Sequence, residues 1–162
     1  MTAATVPTAG MSIAWQWAPF DALDGVTVHA MLQARQQVFV LEQQCLYADI
    51  DALDLRAHHL LGWHIVDGVK TLVAYLRCIA PGDHYAEIAI GRVLTVATVR
   101  NQGLGLALMT EGIRQAEACF PGHCIRISAQ AHLARFYGAL GFERTSDIYL
   151  EDDIPHIAML RE

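Results

Sequence analysis

The sequence predicts an α/β fold: a mixed sheet flanked by helices, in a single domain. Three observations point there. The 162 residues hold no repeat, low-complexity tract or interior linker, and 54% of them are hydrophobic, enough for one substantial core. Two apolar runs, 60–66 and 69–79, flank Asp67-Gly68, a dipeptide that favours a tight type I′ hairpin turn. A strand–helix–strand unit spans 88–128, and a right-handed crossover sets its two strands parallel.

The elements follow in order. Alternation in Ile13-Ala14-Trp15-Gln16-Trp17 predicts the first strand. Asp24 caps a helix in which Val28, Met31, Leu32, Val38 and Phe39 recur at helical spacing, with Arg35 adding its aliphatic stem. Residues 43–57 are irregular and acidic, holding Asp49, Asp51 and Asp54. After the hairpin strands, a loop around Pro81-Gly82-Asp83 leads to a long apolar strand over 88–96. A helix over 103–120 ends at Pro121-Gly122, a strand covers 124–128, and a short helix over 131–140 stops at Gly141. Two last strands are expected near 143–150 and 156–160. The predicted order is β-α-β-β-β-α-β-α-β-β, and its fourth and fifth strands are the parallel pair.

Charge narrows the partners. Seventeen acids against eleven bases give a formal net charge of −6, and Lys70 is the sole lysine. Nucleic acid is therefore not expected as a partner, since phosphate neutralisation wants a basic face. Nor is a membrane surface, which attracts polybasic segments. The first cation is Arg35, so no secretory signal is expected, and no apolar run approaches the ~20 residues of a membrane span. Cys45, Cys78, Cys119 and Cys124 lack metal or redox spacing and read as reduced thiols of a cytoplasmic protein, packing as small apolar groups. A nucleophilic Cys45 is the alternative. Residues 1–11 read as a disordered extension, with Met11 at the start of the folded part.

The chemistry-bearing stretch is Val96-Ala97-Thr98-Val99-Arg100-Asn101-Gln102-Gly103-Leu104-Gly105. Here a strand ends and glycines open a helix, so backbone N–H groups converge. A helix N-terminus carries about half a positive charge and four unpaired donors, which suits a pyrophosphate. Glycine lets that phosphate approach the backbone, and Arg100 adds a charge. A P-loop would need Gly-Lys-Ser/Thr, and a Rossmann loop another glycine and a ribose acid; neither is present. On these residues alone, phosphate binding and a plain tight turn both remain open.

Downstream lies Phe136-Tyr137-Gly138-Ala139-Leu140-Gly141-Phe142. With the arginine–glycine loop before it, in this order of strands and helices, the chain resembles the GNAT acyltransferase superfamily over residues ~12–160. Further stretches resemble its ElaA-like branch: Phe39-Val40-Leu41-Glu42-Gln43-Gln44-Cys45-Leu46-Tyr47-Ala48-Asp49-Ile50-Asp51, Gly91-Arg92-Val93, Ala129-Gln130-Ala131-His132-Leu133 and Ile154-Pro155-His156-Ile157. Two departures stand out. Ala97-Thr98-Val99 replaces a common proline before the loop arginine, and Gln130 stands where an asparagine often contacts the cofactor.

The resemblance implies a GNAT acyl-CoA N-acyltransferase fold whose fourth and fifth strands splay apart to receive acetyl-CoA as co-substrate. It implies pantetheine pairing by Leu94, Thr95 and Val96, with Gln130 as a further cofactor contact. Pyrophosphate binding would fall to Arg100, Asn101, Gln102, Gly103, Leu104, Gly105 and Leu106. An amine would attack the thioester directly, with Tyr137 as general acid. Without the resemblance, Tyr137 reads first as a buried aromatic on an amphipathic helix.

Candidate bases or acceptor-site groups are Glu42, Asp49, Asp51, His59, His132 and His156, against the plainer readings of hydrogen-bonded structural histidines and a solvated acidic loop over 42–54. His59 and His132 join Tyr137 in the expected catalytic set; Glu42, Asp49, Asp51, Arg92 and His156 form the expected acceptor set. The acids of 42–54 and 143–153 are expected to make a rim that attracts a cation. Arg92 reads as a holder of an acid or of substrate, or as part of a structural ion pair. The implied activity is N-acetylation of a small-molecule or peptide amine, with a homodimer as a possible assembly. A non-catalytic acyl-CoA sensor or interaction module is the alternative. A metal centre on His58, His59, His132, His156 and nearby acids is a third reading, but their spacing matches no zinc signature, so no metal is expected.

Overall fold

In the computed structural model, which describes residues 6–8 and 10–162, β1 (Val6–Thr8) pairs with the start of β2 (Met11–Pro19). The expected extension over 1–11 is thus a hairpin where it is described, turning at Gly10 with φ +91°, a region open to glycine. Residues 1–5 and 9 lie outside the described residues. Asp24 caps α1 (Gly25–Arg35), its carboxylate accepting from the Thr27 N–H at 2.7 Å. The predicted helix continues past α1 with wider winding, as a π-helical segment over Gln36–Glu42.

The hairpin strands β3 (His58–Val66) and β4 (Val69–Ile79) turn at Asp67 and Gly68, both with positive φ, as a type I′ turn requires. They are followed by β5 (Ile88–Thr95), α2 (Leu104–Cys119), β6 (Ile125–Gln130) and α3 (Ala134–Gly138). Last come β7 (Glu143–Arg144), β8 (Tyr149–Glu151) and β9 (Ile154–Arg161). The strand expected over 143–150 is therefore two strands. Ser146 explains the break: its Oγ takes the Ala158 N–H at 2.9 Å in place of a backbone acceptor, and the chain loops out over 147–148 before rejoining β9.

The sheet order is β1-β2-β3-β4-β5-β6-β9-β7, with β8 also on β9. β5 and β6 are parallel; the other described pairs are antiparallel. Alternate residues of the central strands face opposite layers. Leu60 and Leu76 pack with Leu104 and Leu108 of α2, while Leu61, Trp63 and Tyr75 pack with Met31 and Ala34 of α1. Covering both faces explains why β3 and β4 read as near-continuous apolar runs. Gly112 seats α2 on β4: a Cβ there would stand 2.5 Å from Leu76 Cδ2. No described helix is long and apolar enough to cross a membrane.

Candidate active site

The site begins with a fault in the sheet. Tyr75 opposes Leu94 but Arg77 opposes Gly91, so β5 carries one residue more than β4 between these pairs. Arg92 absorbs the extra residue at φ +53°, and such a bulge bends its strand. β5 and β6 pair at Ile88–Ile125 and Ala89–Arg126, and past that point they separate. A cleft of about 1010 Å³ opens between them, walled by β5, β6, the π-helical segment and the β8–β9 turn.

At one end lies the start of α2. Gly103, at φ +80°, caps the helix in the left-handed region. The backbone N–H groups of residues 101–106 find no acceptor within the described chain. Arg100 stands beside them, its Nε donating to the Thr95 carbonyl at 3.0 Å and its Nη2 paired with Glu42 at 2.8 Å. Unpaired amides, a helix terminus and a guanidinium form a donor set that fits a pyrophosphate.

Leu94, Thr95, Gln130, His132 and Tyr137 line the cleft. Val96 does not; its N–H donates to Val73 O at 3.0 Å and its carbonyl accepts from Val99, so both backbone groups expected to hold pantetheine are taken. Tyr137 is buried to within 7% exposure, on α3, and its hydroxyl makes no hydrogen bond among the described residues. Burial pushes that hydroxyl up to about 12. Cys45 also lines the cleft, but burial, and then Asp152, Asp49 and Glu151, push its thiol up, which favours the protonated form over a nucleophilic thiolate.

Several expected site residues serve the fold instead. His59 is fully buried. Its Nε2–H donates to the Asp54 carbonyl at 2.9 Å, which leaves Nδ1 to accept from the Tyr75 hydroxyl at 2.7 Å. Desolvation lowers its pKa, so it stays neutral and sealed away from the cleft. Asp49 and Asp51, expected on a cation-attracting rim, are enclosed by arginines. Arg35 Nε reaches Asp49 Oδ2 at 2.9 Å and its Nη1 reaches Asp54 at 2.8 Å. Arg77 Nη1 lies 2.7 Å from both Asp51 and Asp54. Arg92 Nε lies 2.8 Å from Asp49 Oδ1 as a charge contact, off the hydrogen-bonding line, and its Nη2 donates to the Asp49 carbonyl at 3.2 Å. Arg92 also covers the Tyr47 ring at 5.0 Å, so the structural ion pair holds for it, as well as a place in the cleft wall. For Asp54, burial raises the pKa but the bonds and charges of Arg35 and then Arg77 more than reverse it. Arg35 is not a stem on an apolar face; its guanidinium is the centre of this network.

At the other end, Ser128 Oγ donates to Glu151 at 2.7 Å and lies 2.5 Å from the Tyr149 hydroxyl, which therefore donates to it. His156 joins this wall. Glu151 and Asp152 line the cleft without an arginine or lysine partner among the described residues. Sequence reasoning missed Ser128 and Tyr149, which it gave no signal to pair. Arg77 carried one: a cation in the middle of an apolar strand.

Splayed parallel strands with an amide-lined helix terminus at their open end suit the acyltransferase class called GNAT. The chain belongs to that family: residues 40–162 match the model of the acetyltransferase (GNAT) domain. Within it, the chain groups with ElaA. It is 38% identical to Protein ElaA of Escherichia coli over 152 residues, covering 93% of this chain and 97% of ElaA. A UPF0039 protein of Synechocystis is 41% identical over 150 residues, 93% of this chain and 96% of that protein. Among crystal structures, an acyl-CoA N-acyltransferase from Pseudomonas aeruginosa superposes with TM-score 0.87 at 42% identity, covering 93% of this chain and all of that one. ElaA of E. coli superposes at 0.85, covering 93% and 99%. The fold is the GNAT acyl-CoA N-acyltransferase fold, and the protein is a GNAT-family acyltransferase.

Proposed function

We propose that the protein transfers an acetyl group from acetyl-CoA to a primary amine of a small molecule or peptide, in the cytoplasm. The observation that carries this is the run of unpaired N–H groups at 101–106, opening onto the gap between β5 and β6. Acetyl-CoA brings a thioester already activated for attack by an amine, so no enzyme nucleophile is needed. The loop amides and Arg100 hold the phosphates, and the β5 backbone at Leu94 and Thr95, past its last pairing with β6, receives the pantetheine arm. Held near attack geometry, the reactants gain as much as ~7–11 kcal/mol from positioning.

Tyr137 serves the departing sulfur. At about 12 its hydroxyl stays protonated throughout the working pH range. A thiol ordinarily titrates near ~8.5, so the hydroxyl gives the sulfur a strong hydrogen bond first, and the proton follows as negative charge builds there. Glu151 and Asp152, the cleft carboxylates left free of arginine, favour a cationic acceptor at the β8–β9 end.

Thiol release from acetyl-CoA across a panel of amines tests the reading, with calorimetry for cofactor binding. Tyr137→Phe is expected to lower kcat about 10–100-fold while changing the acetyl-CoA Kd less than 3-fold. An unchanged kcat removes Tyr137 from the reaction. Binding without thiol release to any amine identifies a sensor instead.

A further inference from the structure

We propose that His156 accepts the proton from the acceptor nitrogen; the inference rests on the acetyltransferase reading above. The direct-attack reaction needs such a group, and the structure separates the candidates. His59 has both ring nitrogens engaged and lies outside the cleft. Asp49 and Asp51 are held by arginines, and Glu42 is paired with Arg100 at the phosphate end. His132 lines the cleft but is exposed, and no hydrogen bond among the described residues fixes its ring.

His156 is built differently. It sits on β9, opposite Gln130 of β6 and Tyr149 of β8. Its Nδ1 lies 2.7 Å from the Ile154 carbonyl, which can only accept, so Nδ1 carries the hydrogen of the neutral ring. The lone pair is then on Nε2, which has no partner among the described residues. The Tyr149 ring stacks on the imidazole at 6.2 Å and 25°, and Tyr149 is itself tied through Ser128 to Glu151. A half-buried ring with one nitrogen anchored, one face supported and the other nitrogen free is a positioned base.

An acceptor bound as ammonium first gives one proton to solvent in the open cleft; the neutral amine nitrogen then bonds to the thioester carbonyl carbon and gives its surplus proton to His156 Nε2. The C–S bond breaks with its electron pair on sulfur, which takes the Tyr137 proton. Imidazolium and phenolate then return to their starting states through solvent in the open cleft, and the products are amide and thiol.

The test uses the full chain with acetyl-CoA and the best amine from the panel. His156→Ala is expected to lower kcat about 100-fold or more, with the acetyl-CoA Kd within 3-fold, and added imidazole should restore rate in a dose-dependent way. His156→Asn keeps a donor for the Ile154 carbonyl but no basic nitrogen, so it should fold as the parent does and lose the same activity. Either variant retaining kcat within 3-fold overturns the proposal while leaving the acetyltransferase reading standing. A loss in His156→Ala that imidazole does not rescue, joined to full activity in His156→Asn, reduces His156 to packing and also overturns it. A parent chain that releases no thiol with any amine overturns the acetyltransferase reading, and this one with it.

Discussion

At the end of the cleft proposed for the phosphates, the candidate groups are backbone amides from one short stretch, 101–106, directed by left-handed backbone at Asn101 and Gly103. In the acidic arm that flanks the cleft through Cys45 and Tyr47 nothing is local. Residues 43–57 form an arm without long regular structure, pinned by Arg35 of α1, Arg77 of β4 and Arg92 of the β5 bulge to Asp49, Asp51 and Asp54. The loop is made by chain direction, the arm by charge. The difference implies that arm and loop fail separately: the arm should govern stability, and the loop cofactor binding.

The largest expected effect tests that separation. Arg35→Met keeps volume but leaves Asp49 and Asp54 short of a buried cation, and breaking one partner of a buried pair costs about 3–5 kcal/mol. Urea unfolding at pH 7 should show that loss, with the acetyl-CoA Kd of the folded fraction unchanged. A loss below about 1 kcal/mol would mean that Arg77 and Arg92 carry the arm alone. A large rise in Kd would mean that arm and loop are one unit.

The same contrast explains what the sequence disclosed. Strand–turn–helix signals are local, so the Arg100–Gly103 turn, the Asp24 cap, the Asp67-Gly68 hairpin and α3 before Gly141 could all be read from neighbours in the chain. Asp49 and Asp51 looked like a solvated rim because their partners lie at 35, 77 and 92, and pairing over such separations leaves no trace in local periodicity. His59 misled for the same reason. Its two hydrogen-bond partners are the Asp54 carbonyl and a tyrosine sixteen residues away, across a strand pair. The bulge at Arg92 was invisible too, since an arginine in the left-handed region defies local preference and is held there by Asp49 and Tyr47.

A smaller effect comes from acid. Burial lowers the pKa of His59, and of His58 in spite of Asp21, and a lowered folded value means that the unfolded chain binds protons first. Their contribution is present above the ordinary 6.5 and is lost as pH falls below it. Asp54, lowered from its ordinary 3.8, adds a second loss further down. Thermal melts from pH 8 to pH 3 should therefore show Tm falling below about 6.5 and more steeply below about 4. Amides do not titrate here, so the 101–106 loop contributes nothing to this profile. A Tm that is flat between pH 7 and pH 5 would mean that His59 is not sealed in solution.

The smallest effect lies where arm and loop touch. Glu42 ends the π-helical segment where the arm begins, and its carboxylate holds Arg100 beside the loop. Both side chains are partly exposed, and such a pair is worth only about 0.2–1 kcal/mol. In the free protein Glu42 competes with incoming phosphate for the guanidinium, and its negative charge opposes an anion. Glu42→Gln removes both effects while keeping a hydrogen-bonding end. The acetyl-CoA Kd should tighten by about 1.5–5-fold, and the gain should shrink as added salt screens the pair. A weakened Kd would show the opposite design, in which Glu42 orients Arg100 for the phosphate. Arm and loop would then be coupled through this pair, and their separation would hold for folding but not for binding.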